Sequence, residues 1–239
     1  MPPLIVIVGA GLAVALGAMV QSGAGLGLGL VGAPLVTLLD PSVMPGSLLV
    51  AGSLLPLAIL VREFRHADWP GVSWALAGRL AGTAAGVWVV ASLSPNLLGA
   101  IVGSVVLAVV VITVAGRPVP RNRWTLLTAG VISGASGTST SVGGPPVALL
   151  YAGGSGPQVR ASLSAFLLAG NLLAVTALAV SGELPGRDVT LGMIFLAFAA
   201  LGFALAARVR RFIDRRIRVA VLVLAAASAL VLIARSVLA

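Results

Sequence analysis

Gln21-Ser22-Gly23-Ala24-Gly25-Leu26-Gly27-Leu28-Gly29-Leu30-Val31-Gly32-Ala33-Pro34 breaks a long charge-free stretch with small residues and closes on a proline. A second stretch, Ser133-Gly134-Ala135-Ser136-Gly137-Thr138-Ser139-Thr140-Ser141-Val142-Gly143-Gly144-Pro145-Pro146, does the same in the other half of the chain. Placing Pro34 on Pro146 also superposes Gly25 on Gly137 and Gly32 on Gly144. Backbone that leaves a helix at membrane depth is tolerated only where protein buries it or where it lines a wet cavity. A matched pair of such breaks, one per half, is the pattern of a transporter whose site lies between two repeats.

Composition places the chain in the bilayer. Of 239 residues 59% are hydrophobic and 9% charged, with a mean hydropathy of +1.14. Residues 4–39, 41–61, 80–116, 124–159, 161–182 and 189–207 carry no charge. Each is at least as long as the ~18 residues a crossing needs. Residues 4–20 are preceded by no basic residue, so they read as mature protein rather than a signal peptide. The net charge of +9 comes from 15 arginines and no lysine. Their densest cluster, Arg208 to Arg218, joins two apolar segments and reads as a basic loop beside a membrane, not as a nucleic-acid surface. With no cysteine and one histidine, His66, the chain has neither disulfides nor a usual zinc site, and no Ser-His-acid set can form at membrane depth. An enzyme is not expected, and no cofactor is implied.

Arginine placement selects the path of the chain. Residues 4–39 as one helix would extend about 54 Å, against a hydrocarbon core of ~30 Å. The remaining segments read as single spans: 44–62, 72–91 and 96–116, then 160–181, 190–207 and 217–234. If each broken segment crosses once, the loops carry seven arginines on either side, which gives no orientation. If each returns to the side it entered, Arg62, Arg65, Arg117, Arg121, Arg123, Arg160 and the six of 208–218 share one face. That is twelve against two, Arg187 and Arg235, with Arg79 left inside the membrane. A bias of this size is what orientation by basic loops requires. Two full crossings per break give the same parity and stay open. The fold expected is therefore an all-α integral membrane protein of two inverted repeats, 1–116 and 117–239. Each repeat holds a broken, re-entrant helical hairpin plus three transmembrane helices. The arginine-rich loops are expected in the cytoplasm and both termini outside. Gly82-Thr83-Ala84-Ala85-Gly86, echoed by Gly202-Phe203-Ala204-Leu205-Ala206, has the small-residue spacing that lets helices touch closely.

The breaks and two isolated polar residues supply the candidate site. In the first break Gln21 and Ser22 are the polar side chains, and Gly25, Gly27 and Gly29 offer bare backbone. The second presents Gly137, Thr138, Ser139, Thr140, Ser141, Gly143 and Gly144. Hydroxyls together with freed amides at half-helix N-termini make an anion site; the competing reading is that each hydroxyl bonds its own i−4 carbonyl. Gly27-Leu28-Gly29-Leu30-Val31-Gly32 matches G-x-G-x-x-G, but neither the preceding strand nor the later acid of a dinucleotide site is there. Arg79 is either functional or snorkels to the interface. Asn171, and its rough counterpart Ser53, serve either as helix–helix glue or as a ligand contact.

At these residues the chain resembles the sulfite exporter TauE/SafE family of bacterial membrane permeases. Gly25 to Pro34, Gly137-Thr138-Ser139 through Gly143-Gly144-Pro145-Pro146, Gly82 to Gly86, and Arg208 to Arg218 before a last apolar helix carry the resemblance. It implies movement of a small sulfur-containing anion, sulfite or an organosulfonate, across the bacterial cytoplasmic membrane, usually outward. Thiosulfate carriers that relay substrate through cysteines are disfavoured. The partners implied are that anion and the lipid bilayer, and a homo-oligomer stays open. An anion channel of the same architecture, a carrier of a different small anion, and a non-transporting membrane scaffold are the alternatives.

Overall fold

The structure, a computed structural model, describes residues 2–24, 28–115, 119–209 and 215–238. The described residues contain helices and no strand: α1 (Leu4–Ala24), α2 (Ala33–Leu39), α3 (Gly46–Ala51), α4 (Leu54–Glu63), α5 (Trp69–Ser92), α6 (Pro95–Ala115), α7 (Arg123–Thr140), α8 (Pro145–Tyr151), α9 (Gly156–Val180), α10 (Gly186–Val209) and α11 (Arg215–Leu238). Among them, six segments are long and apolar enough to cross a membrane, and Leu28–Leu39 and Leu222–Ser236 are shorter apolar helices. Val61, Trp88, Val114 and Val180 project from the bundle fully or largely exposed. Large apolar side chains on the outside of a helical bundle are what a lipid surround demands.

Both broken segments come back to the end of the bundle at which they began. A π-turn at Leu28–Gly32 leads into α2, which folds back along α1. A Cβ at Gly9 would lie 3.2 Å from Leu39, and one at Gly32 would lie 4.0 Å from Val14 Cα. In the second half α7 ends at Ser141, the one non-glycine described residue in the left-handed region (φ 61°). Pro145 and Pro146 start α8, which brings Tyr151 back to the level of α7's beginning. There the Tyr151 hydroxyl donates to Asp68 (3.1 Å), and Arg121 pairs with the same carboxylate at 3.4 Å.

The packing interleaves the two halves. α5 and α7 run parallel in close contact, with Gly78 on Leu127, Gly82 on Val131 and Gly86 on Ala135, and in return Gly130 on Ala75 and Gly134 on Arg79 and Thr83. α1 and α10 run parallel in the same way, with Gly11 on Phe198 and Gly202 on Ala15. α6 packs on α11, and α4 on α9. The seam at α5–α7 is glycine against backbone, so it gains dispersion and Cα–H···O contacts in place of a hydrophobic drive that lipid removes.

One span differs from expectation. Residues 44–62 are not a single helix but α3 and α4, broken at Gly52 and Ser53. Pro56 has no N–H to give the Gly52 carbonyl four residues back, so the helix parts there.

The α5–α7 seam makes a clean prediction. A Cβ at Gly82 would overlap the Val131 carbonyl, whereas one at Gly153 meets nothing within 4 Å. Gly82→Ala should lose about 2 kcal/mol net, because overpacking of backbone outweighs alanine's helix preference. Gly153→Ala should stay within about 0.5 kcal/mol of wild type. Thermal unfolding of both purified variants checks this; equal melting temperatures would contradict the seam.

Candidate functional site

The two breaks meet inside the bundle. Gly29 packs directly on the backbone of the second break: a Cβ there would overlap the Ser141 carbonyl and stand 3.2 Å from Val142 Cα. The Leu28 N–H donates to Gln21 Oε1 (3.0 Å), which closes the first break with a buried side chain. Ser141 Oγ donates to the Pro45 carbonyl at 3.1 Å and so ties the second break to the start of α3.

Between them lies a cavity of about 40 Å³, roomy enough for a small ion with water. Gln21, Leu28, Gly29 and Leu30 line it from the first break, Ser141 to Pro145 from the second. The α3–α4 break contributes Leu48, Leu49 and Gly52, and α9 contributes Leu167 and Asn171. The lining holds no carboxylate. Among the described residues nothing accepts the amide N–H groups of Gly143 and Gly144, nor bonds the Asn171 carboxamide. Pro145 and Pro146 fill the first two positions of α8, so the start of that helix contributes fewer amides than a half-helix N-terminus would.

Arg79 lies immediately behind this wall. It is fully buried (0% exposed), so its guanidinium does not snorkel to the interface. Cβ atoms at Gly143 and Gly137 would sit 3.2 Å from Nη1 and 3.1 Å from Nη2, and one at Gly170 would overlap Cζ and Nε. The Phe166 ring centroid is 4.8 Å from Cζ. Among the described residues Nε, Nη1 and Nη2 have no hydrogen-bond partner. Burying a cation costs several kcal/mol, while a desolvated cation–π contact returns only about 2 kcal/mol. The balance leaves the buried charge without compensation among the described residues.

Not every candidate residue joins this arrangement. Gln21, Gly29, Ser141, Gly143, Gly144 and Asn171 line the cavity, and Arg79 and Gly137 stand behind it. Ser139 and Thr140 donate to the Ala135 and Ser136 carbonyls (2.7 Å each), their own helix's i−4 groups. Ser22 is half-buried on α1 and outside the lining. Thr138 is buried against Gly86 with its hydroxyl unpaired among the described residues. Gly25 and Gly27 lie outside the described residues. Reading by residue type passes over Thr83, Phe166, Gly170 and Gly52. Thr83, one turn after Arg79 on α5, carries the clearest signal.

A family model described as Sulfite exporter TauE/SafE matches residues 10–232. Neither the curated proteins nor the solved structures give a match to the chain.

Gln21→Leu tests how the first break is held. Leaving the Leu28 N–H buried without an acceptor should cost about 1–3 kcal/mol. Unfolding midpoints of the purified variant and wild type measure it, and an unchanged midpoint would show that water replaces the glutamine.

Proposed function

The chain belongs to the sulfite exporter TauE/SafE family, a family of transporters and not of enzymes, and we propose that it carries a small sulfur-containing oxyanion through the junction of its two breaks. The observation behind this reading is the electrostatics of the junction. Gly143 and Gly144, whose amides have no described acceptor, and Asn171 line the junction, the buried Arg79 cation stands behind Gly143, and the lining holds no carboxylate. Donors placed around a desolvated cation favour an anion and reject a cation. The carboxylates whose contacts are described stand at the two ends of the bundle. Glu63 and Asp68 pair with Arg160 and Arg121 at one, and Asp188 pairs with Arg187 at the other.

The architecture we infer is two inverted repeats, 1–116 and 117–239. Its support is the swap of partners, in which α1 of the first half seats on α10 of the second while α7 of the second seats on α5 of the first. Two repeats that enter the membrane from opposite faces and hold one site between them suit alternating access. The arginine-rich end, with Arg62, Arg65, Arg121, Arg123 and Arg160, is the cytoplasmic one in this reading, and the termini face outward. The family likeness supports export across the bacterial cytoplasmic membrane as the direction of this reading.

Orientation is checked in intact cells of the cysteine-free protein. Ser94→Cys, at the end of the bundle opposite the arginine-rich one, should react with an impermeant thiol reagent, and Gly153→Cys should not. The reverse pattern contradicts the orientation. Function is checked with purified protein in liposomes loaded with labelled sulfite: saturable efflux that Asn171→Leu slows at least about fivefold is the expected result, the loss of one hydrogen bond to a charged ligand. Absence of flux for sulfite, sulfate and an alkylsulfonate alike would contradict the assignment, and flux that does not saturate would mark a channel.

A further inference from the structure

Three features behind Gly143 have no use in the fold itself. The Arg79 guanidinium is buried with no hydrogen-bond partner among the described residues, and so are the hydroxyls of Thr83 and Ser133. The Thr138 hydroxyl is likewise unpaired, against Gly86, whereas Thr37, Ser47, Ser53 and Thr113 each donate to the carbonyl four residues back, at 2.6–3.0 Å. Thr83 follows Arg79 by one turn and so shares its face of α5. Ser133 precedes Gly137 by one turn on α7, and its carbonyl is 2.9 Å from where a Gly143 Cβ would be. All three residues therefore lie at the contact of α5 with α7, where Gly134, next to Ser133, packs on the backbone of Arg79 and Thr83.

That place is shaped for a planar cation and for something opposite it. Gly137, Gly143 and Gly170 leave no side chain between the guanidinium and the chain around it. Phe166 fixes one face of the group, so its N–H edge is left to recognise a ligand. A guanidinium edge presents two parallel donors that match two oxygens of an oxyanion, and hydroxyls on either flank reach a third. Arg79 makes no ion pair among the described residues: Glu63, Asp68 and Asp188 are paired with arginines, Asp40 accepts from Ser42, and Glu183 lies past the end of α9.

We propose that Arg79, Thr83 and Ser133 form the site at which the oxyanion dwells, and that the cavity between the breaks is its antechamber, parted from it by the Gly143-Gly144 backbone. This rests on the anion-transport reading and adds to it the residues that hold the charge. Gly143 faces the cavity on one side and Arg79 on the other. A bare glycine segment that shifts would join the two spaces, and sulfite or an alkylsulfonate has the oxygens to satisfy the donors beyond it.

The test measures sulfite affinity and melting temperature of the full-length protein in nanodiscs, with sulfate and 2-aminoethanesulfonate alongside and chloride as reference. An unpaired buried cation weakens the empty protein, so Arg79→Met should melt at or above wild type without ligand while sulfite affinity drops at least about tenfold, the loss of a charged hydrogen-bond pair. Arg79→Lys should keep part of the affinity, and Ser133→Ala should lose roughly tenfold. Wild-type affinity in Arg79→Met overturns the assignment. If that variant does not fold, unaltered affinity in both Arg79→Lys and Ser133→Ala overturns it. A wild-type protein that responds to none of the three anions overturns the anion-transport reading itself. A wild-type response undiminished by these substitutions overturns only the dwell site.

Discussion

Backbone that leaves the helix inside a bilayer must be covered by protein, and in this chain each break covers the other. Gly29 lies on Ser141 and Val142, Gln21 satisfies the Leu28 amide, and Ser141 reaches across to Pro45. The glycine that permits this approach has no tolerated substitute in which a Cβ meets a carbonyl. Each segment then turns back beside the helix it began on, with Leu39 near Gly9 in the first half and Tyr151 against Asp68 and Arg121 in the second.

Charge is arranged around the same point. The ion pairs of the described residues sit at the ends of the bundle, where Glu63 holds Arg160 at 2.6 Å and Arg187 holds the Ser42 carbonyl at 2.6 Å. Exposed pairs of this kind are worth about 0.2–1 kcal/mol each, so rearranging either end costs little beside parting α5 from α7. The interior keeps a cation without a described partner. A close-packed seam, weakly latched ends and an unpaired buried charge are the features on which the proposed movement around an anion rests.

Much of the fold was legible because membrane sequence is unforgiving. A 36-residue charge-free stretch is longer than one crossing needs, and the twelve-to-two distribution of arginines favours a segment that returns, as Leu39 lies beside Gly9 and Tyr151 beside Asp68. The α3–α4 break was written in Gly52 and Pro56, four residues apart, but a proline inside an apolar run is often absorbed by a kink and gives no depth. The site was less legible. Hydroxyl-rich sequence around Thr138 to Ser141 points to the right segment, yet which hydroxyls are free depends on helical phase and on neighbours. Ser139 and Thr140 bond their own turn, while Ser133, six residues earlier, does not. Arg79 stood out as a charge in an apolar span; that Gly170 and Phe166 would receive it depends on α9, which no local pattern announces.

The central claim is that the transported oxyanion resides where the two breaks meet Arg79. Selenite is the selenium counterpart of sulfite, and a chain without cysteine has no thiol to reduce it. Crystals of the protein soaked in selenite and measured at the selenium absorption edge would locate it directly. The account predicts an anomalous peak beside the Arg79 guanidinium, with Gly143 between it and the cavity that Asn171 lines. A peak confined to the arginine-rich loops, with none between the breaks, would contradict it.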